Sequence, residues 1–274
     1  MVPVSVSGAR ASPNALFDLD FGDAADVAAN SATEPGWVLD RYNPNLSYDP
    51  VEFSQESFDG DDRLCIDISE DGPTSGFYAY QGQKYQDADG SYWFAERGAP
   101  VLSYDFYIDP EWETDGVPQE TGVWPVLGDD DGDINAYPIL AYQDSDASST
   151  GEAQFRTYVY ELDDDGAFVG ADWVNLGLPK KLGIDPEEGG WVTVEARLHP
   201  ISGKNVDGTG AALKWYVNNK LLYDARNYNY TFEEQVYNST QFLEIIINSP
   251  NFGVDQQYYY DNITLSEPGN ARNQ

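Results

Sequence analysis

The chain is strongly acidic and long enough to bury a large hydrophobic core. Its 274 residues include 48 Asp and Glu against 14 Lys and Arg, a formal charge of −34, and 41% are hydrophobic. Nucleic-acid binding and attraction to anionic membranes both depend on clustered Lys and Arg, so the composition argues against both partners. No run of about 18 apolar residues occurs, and no membrane insertion is predicted.

The dense negative charge predicts an environment that screens it. Like charges repel each other in the compact state, and salt shortens the range of that repulsion. Asp clusters can also be neutralised by bound calcium. We therefore expect a salty or calcium-rich extracellular setting. The first residues resemble no secretory signal. We therefore expect either that a signal was removed or that the protein leaves the cell by another route, such as within a virus particle.

Short apolar–polar alternations separated by Gly, Pro, Asn and Asp predict many strands. In the segment 101–108, Leu102, Tyr104, Phe106 and Ile108 would share one face. Asn218 and Asn219 suit the positive φ angles of a hairpin turn. In chain order, the strands are predicted at 15–21, 63–68, 76–81, 101–108, 137–143, 154–162, 191–198, 213–217, 220–223, 242–247 and 257–265.

The predicted architecture is a single all-β domain. Ten or more strands without a long amphipathic helix indicate a two-sheet antiparallel β-sandwich. Helical turns are expected only at 23–29 or 232–236. The domain is predicted to cover residues 15–266, with a flexible N-terminal segment at 1–14 and a C-terminal tail at 267–274. Cys65 lies in an apolar strand, which predicts a buried and unreactive thiol.

Several motifs appear in a familiar order along the chain. LDFG at 19–22 is followed by GW at 36–37, GWVTVE at 190–195, LKWYVNNKL at 213–221 and YYDNI at 259–263. This order resembles the concanavalin A-like lectin/glucanase superfamily, which includes lectins, glucanases, polysaccharide lyases and carbohydrate-binding modules. The resemblance implies a β-jelly roll with any glycan groove on its concave sheet. It also implies a structural calcium ion at Asp261 and Asp20.

The enzymes of this superfamily suggest two reactions to look for. Glycoside hydrolysis by its glucanases would need a strand with paired carboxylates, such as Glu-x-Asp-x-x-Glu, and no such strand is found. Polysaccharide lyases use Tyr or His as a base and Arg or Gln to hold a uronate. The candidate lyase residues are Tyr158, Tyr160, Arg156, Arg97 and His199, although the lyase motifs themselves are absent. For His199, a plain surface or edge histidine is the alternative interpretation.

Glycan binding without chemistry needs aromatic faces and hydrogen-bonding side chains. The chain has 20 Tyr and seven Trp, and these rings could equally belong to the core. Arg156, Gln143 and Asp105 are expected to orient the sugar. The complete candidate set is Tyr92, Trp93, Asp105, Trp124, Tyr142, Gln143, Arg156, Tyr158 and Tyr160.

A second calcium signal lies in an acidic loop. Asp129, Asp131 and Asp133 stand at alternate positions, which suits the hard oxygen ligands of Ca²⁺. The alternative is an ordinary solvated turn. Taken together, the sequence predicts extracellular polysaccharide recognition by a calcium-stabilised jelly roll. The alternatives are a polysaccharide lyase and a structural module of a virus or cell surface.

Overall fold

A computed structural model of the chain describes residues 15–88, 100–128, 134–162, 168–200, 211–224 and 241–266. The predictions for 1–14, 232–236 and 267–274 lie outside these ranges. The described residues contain short helical turns at Ala24–Val27, Phe77–Ala79, Pro110–Glu113 and Pro179–Leu182, and none of these is long enough or apolar enough to cross a bilayer. The strands are β1 (Ala15–Leu19), β2 (Gly36–Asp40), β3 (Glu52–Phe58), β4 (Asp61–Ile68), β5 (Tyr80–Gln86), β6 (Val101–Ile108), β7 (Glu120–Gly128), β8 (Ile134–Ala136), β9 (Ile139–Gln143), β10 (Gln154–Leu162), β11 (Phe168–Gly177), β12 (Gly190–Pro200), β13 (Ala211–Val217), β14 (Lys220–Asp224), β15 (Gln241–Pro250) and β16 (Gln256–Ser266).

The strands form two antiparallel sheets. Sheet A has the order β14-β13-β12-β6-β16-β4-β3, with β1 beside β16. Sheet B has the order β11-β10-β9-β7-β15-β5-β2, with β8 beside β7. Many neighbours are distant in sequence, such as β6 and β16 or β7 and β15, which is the connectivity expected of a jelly roll. The predicted β-sandwich is therefore confirmed.

The core lies between the inner faces of the sheets. Leu102, Tyr104, Phe106 and Ile108 of β6 are at most 4% exposed, as their alternation predicts. The opposite residues of this strand are only partly buried. Burial of one face of β6 confirms the predicted strand and its orientation.

Two turns lie where the sequence predicts them, and a third lies where the sequence predicts a strand. Asn218 and Asn219 have φ angles of 47° and 62° in the hairpin between β13 and β14. Asp23 caps the turn Ala24–Val27 by accepting a 3.0 Å hydrogen bond from the Ala25 amide. The strand predicted at 76–81 is wrong in its position. Phe77–Ala79 form a 3-10 turn, and the strand begins only at Tyr80.

Candidate functional site

The outer face of sheet B carries a second buried apolar cluster. It contains Trp124, Val126, Ile139, Ala141, Leu243 and Ile246, each at most 5% exposed. Tyr80, Tyr137, Tyr158 and Trp173 pack around it and are partly buried. Alternate residues of the same strands, such as Val123 and Leu140, belong to the core between the sheets. Large apolar side chains on the outer face of a sheet, bordered by partly buried aromatic rings, mark this face as the candidate ligand site.

The strand registers place a row of residues across this face, of which Gly82, Gly122 and Ala141 are small. Successive pairs join Asp40 to Gly82, Gly82 to Asn248, Asn248 to Gly122, and Gly122 to Ala141. Ala141 is then paired with Arg156, and Arg156 with Asn175. We call this line the small-residue row. At Gly82 a Cβ atom would clash with the Ile247 carbonyl oxygen and the Asn248 side chain. Glycine is therefore required there, because Ile247 and Asn248 pack directly against its backbone.

An aromatic row runs beside the small-residue row. Lys84 is paired with Ile246, and Ile246 with Trp124. Farther along, Ile139 is paired with Tyr158, and Tyr158 with Trp173. The Tyr158 and Trp173 ring centroids are 5.2 Å apart, and both side chains are partly exposed. This row offers aromatic surface along one side of the small-residue row.

Hydrogen-bonding side chains form a polar row on the other side. Glu120 is paired with Gln143, and Gln143 with Gln154. The Gln143 amide donates to Glu120 at 2.8 Å, and the Gln154 amide donates to Gln143 at 3.0 Å. Arg156 forms an ion pair with Glu120, and its guanidinium carbon lies 3.8 Å from the centroid of the Trp173 ring. These contacts fix the polar groups in place before any ligand arrives.

A second polar network lies at the β2–β5 end of the face. Glu244 accepts a 3.1 Å hydrogen bond from Gln86 and lies 3.5 Å from the Lys84 ammonium group. Asp40 accepts a 2.7 Å hydrogen bond from the Asn248 amide.

Arg41 covers the tryptophan at this end of the face. Its guanidinium carbon lies 4.2 Å from the Trp124 ring centroid and 4.7 Å from that of Phe77, which is 63% exposed. Asp40 holds the guanidinium through a 3.3 Å contact. Phe77 and Arg41 therefore form a rim above Trp124.

Four of the predicted binding residues meet on this face. They are Trp124, Gln143, Arg156 and Tyr158. The predicted residues Tyr92, Trp93, Arg97, Asp129, Asp131 and Asp133, and the side chain of Tyr160, lie outside the described residues.

The structure corrects the placement of Tyr142, Asp105 and His199. Tyr142 points into the core, 1% exposed, because it follows Ala141 on a strand with both faces buried. Asp105 lies on the outer face of sheet A, where its carboxylate accepts a 2.9 Å hydrogen bond from the Asn262 amide. His199 lies on β12, also in sheet A. These three residues do not contribute to the face on sheet B.

Sequence reasoning missed Tyr80, Glu120, Trp173, Glu244 and Asn248. All nine residues of β7 are buried, and β15 is nearly as continuous. A strand without polar–apolar alternation does not indicate which of its side chains face the core and which face outward. Only isolated polar residues inside such runs, as at Glu244 and Asn248, could have pointed to the site.

Glu120 and Glu244 are placed too far apart for glycoside hydrolysis. Glu244 is paired with Val126, which is on the same strand as Glu120. The six residue steps from Glu120 to Val126 correspond to about 20 Å at about 3.3 Å per residue. Paired catalytic carboxylates stand only about 5–9.5 Å apart. This pair of buried carboxylates therefore lacks the spacing of a glycosidase.

The described residues do not fit a calcium ion between Asp20 and Asp261. Asp261 already forms an ion pair with Arg63 and accepts a 2.9 Å hydrogen bond from Asn262. A cation bound to Asp261 would meet the positive charge of the guanidinium group.

Cys65 lies in another group of possible ligands. Atoms of Glu56, Cys65 and Asp67 lie within 4.8 Å of one another. Burial raises the pKa of the Cys65 thiol, which keeps it protonated and disfavours metal binding. The thiol is buried, as the sequence predicts.

Solved structures with the same architecture act on or bind carbohydrates. No protein-family model matches the sequence, and no curated protein sequence does so either. A structure described with endo-acting O-glycanases that initiate mucin breakdown, from the human gut microbiota, has a TM-score of 0.51 and 14% identity, over 93% of this chain and 100% of that one. An alginate lyase from a Chlorella virus has a TM-score of 0.49 and 12% identity, over 80% and 90%. An endo-1,3-β-glucanase from Streptomyces sioyaensis has a TM-score of 0.49 and 12% identity, over 95% and 100%. At these identities the likeness concerns the fold alone, and the chain shares the two-sheet antiparallel β-sandwich that the sequence predicts.

Proposed function

We propose that the chain binds a carbohydrate on the outer face of sheet B. The observation that carries this proposal is the small-residue row, bordered by aromatic rings on one side and by fixed polar groups on the other. Sugar rings have apolar faces that stack on aromatic side chains and hydroxyl groups that need hydrogen-bond partners. This face offers both kinds of contact.

The glycan would lie across the strands, along the small-residue row. From Gly82 to Ala141 the row crosses three strand spacings, about 14 Å at about 4.8 Å each. Tyr158 and Trp173 would stack on the sugar, while the exposed Asn175 would bond its hydroxyl groups. Gln143 and Gln154 are buried and hydrogen-bonded within the protein, so they would hold Glu120 and Arg156 in place beneath the sugar.

A single substitution tests this assignment. We expect Trp173→Ala to weaken glycan binding at least about tenfold, or about 1.4 kcal/mol, because aromatic anchors dominate binding energies. Trp191→Ala is the matched control, since Trp191 is a partly buried tryptophan on the other sheet. Affinity electrophoresis through gels containing single polysaccharides measures the effect. Equal retardation of both variants and the wild type would contradict the assignment.

Polysaccharide lysis is the second candidate because Arg156, Gln143 and Tyr158 share this face. In that reaction Tyr158 would take the proton beside the uronate carboxylate, and Arg156 would neutralise the carboxylate. Incubation with uronate polymers tests this reaction, since each cut creates an unsaturated sugar that absorbs ultraviolet light. Growth of absorbance that Tyr158→Phe abolishes would support lysis and contradict recognition without chemistry.

The remaining expectations rest on the sequence. A calcium ion at Asp129, Asp131 and Asp133 is proposed from their alternate spacing. An extracellular location is proposed from the acidity of the chain. A virus or cell-surface structural role is the alternative if no glycan binds.

A further inference from the structure

The charges on the outer face of sheet B cancel in pairs. Among the described residues, this face carries the cations Arg41, Lys84 and Arg156 and the carboxylates Asp40, Glu120 and Glu244. Each cation contacts one carboxylate, as Arg41 with Asp40, Lys84 with Glu244, and Arg156 with Glu120. The whole chain carries a formal charge of −34. The described part of the face is therefore neutral within a strongly negative molecule.

We propose that this face selects uncharged glycans and rejects chains that carry uronate or sulfate groups. The inference rests on the proposed function, because it names the class of carbohydrate bound at that same site. A uronate needs a cation that is available to it, and each of these three cations already holds a carboxylate. An uncharged chain needs only the stacking surface and uncharged hydrogen-bonding groups such as the exposed Asn175.

Binding of Arg156 to an anionic sugar would take the guanidinium group away from the Glu120 carboxylate. The Glu120 side chain is 4% exposed, and Arg156 and the Gln143 amide are its partners. Removing the guanidinium from a buried carboxylate leaves a charge without its counterion, which is strongly unfavourable. Glu244, with a side chain 3% exposed, imposes the same cost at Lys84. The overall negative charge repels an anionic chain in addition.

Matched pairs of hexasaccharides test the selectivity. β-1,4-Mannan and β-1,4-mannuronan differ at C6, as an alcohol or a carboxylate, and β-1,4-glucan and β-1,4-glucuronan form a second pair. Calorimetry should give at least tenfold tighter binding for the neutral member of any pair that binds. Binding of the neutral member should also stay unchanged between low and high NaCl, because no ion pair forms.

Glu120→Gln tests the cause. The amide keeps the shape of the side chain but releases Arg156, so affinity for the acidic member should rise at least tenfold relative to the neutral one. Glu188→Gln removes the same charge from an exposed position before β12 and should leave the ratio unchanged. If Glu120→Gln does not fold, the wild-type ratio and its salt dependence decide the question.

The outcomes separate the two proposals. Equal or tighter binding of the acidic members by the wild type would overturn the selectivity and leave carbohydrate binding intact. An unchanged ratio in folded Glu120→Gln would overturn Arg156 pairing as its cause. Absence of binding to neutral and acidic sugars alike, here and in the gel assay, would overturn the proposed function and the selectivity with it.

Discussion

Asp144 follows Gln143 at the end of β9, and its side chain is fully buried. One carboxylate oxygen accepts a 2.7 Å hydrogen bond from the Ala147 amide, while the other has no hydrogen-bond partner among the described residues. Burial raises the pKa of this carboxyl group from 3.8 to about 6. The folded chain therefore holds this proton more tightly than the unfolded chain does.

This pKa shift makes stability depend on pH. Between pH 3.8 and about 6 the unfolded state releases the proton first, so the free energy of unfolding falls as pH rises and levels off above that range. We expect Asp144→Asn to remove this part of the fall, so that the variant gains stability over the wild type as pH rises from 4 to 7. Thermal unfolding across this range, with Asp71→Asn as an exposed control, measures the difference. Parallel profiles for all three proteins would count against a buried acid at this position.

At the scale of elements, the β13–β14 hairpin depends on two residues with positive φ. Asn218 also ties the hairpin to β12, because its side chain accepts a 3.0 Å hydrogen bond from the Thr193 amide. Asn219 is exposed and has a φ of 62°. The backbone conformation at Asn219 therefore decides how well this turn closes.

Two substitutions at Asn219 should act in opposite directions. Asn219→Gly should stabilise the protein by up to about 1 kcal/mol, since glycine adopts positive φ without steric cost. Asn219→Ala should destabilise it by about 1 kcal/mol, since alanine keeps the Cβ atom but loses the short polar side chain that makes positive φ tolerable for asparagine. Urea unfolding at one salt concentration compares them. Equal stability of the two variants would contradict the turn geometry.

The elements also show how far the sequence could predict the site. β6 alternates cleanly, so its buried face was predictable, but β9 and β15 are apolar on both faces. In these strands the pattern does not indicate which side chains face outward. The sequence consequently predicts Tyr142 at the binding face, whereas it lies in the core. The outward orientation of Asp105 was predictable. The candidate site lies on sheet B because of the order in which distant strands pair. The residue pattern within one strand carries no information about that order.

At the scale of the whole molecule, the formal charge of −34 should make stability depend on salt. The Debye length falls from about 30 Å at 0.01 M to about 3 Å at 1 M salt. We therefore expect the urea midpoint of unfolding to rise steadily with NaCl. CaCl₂ and MgCl₂ at equal ionic strength separate screening from specific binding, because a calcium site would add stability with CaCl₂ alone. A midpoint that stays flat or falls with NaCl would contradict the expected self-repulsion.

The small-residue row also links ligand binding to completion of folding. The row takes one residue from each of seven strands, and the hydrogen bond between Asn248 and Asp40 joins positions 208 residues apart. A slip of one residue in any of these strands would turn its contribution toward the core. A ligand on the row consequently recognises only the chain in which the strands that it contacts have found their register. At a concentration one hundred times its dissociation constant, it would add about 2.7 kcal/mol to the stability of that state alone.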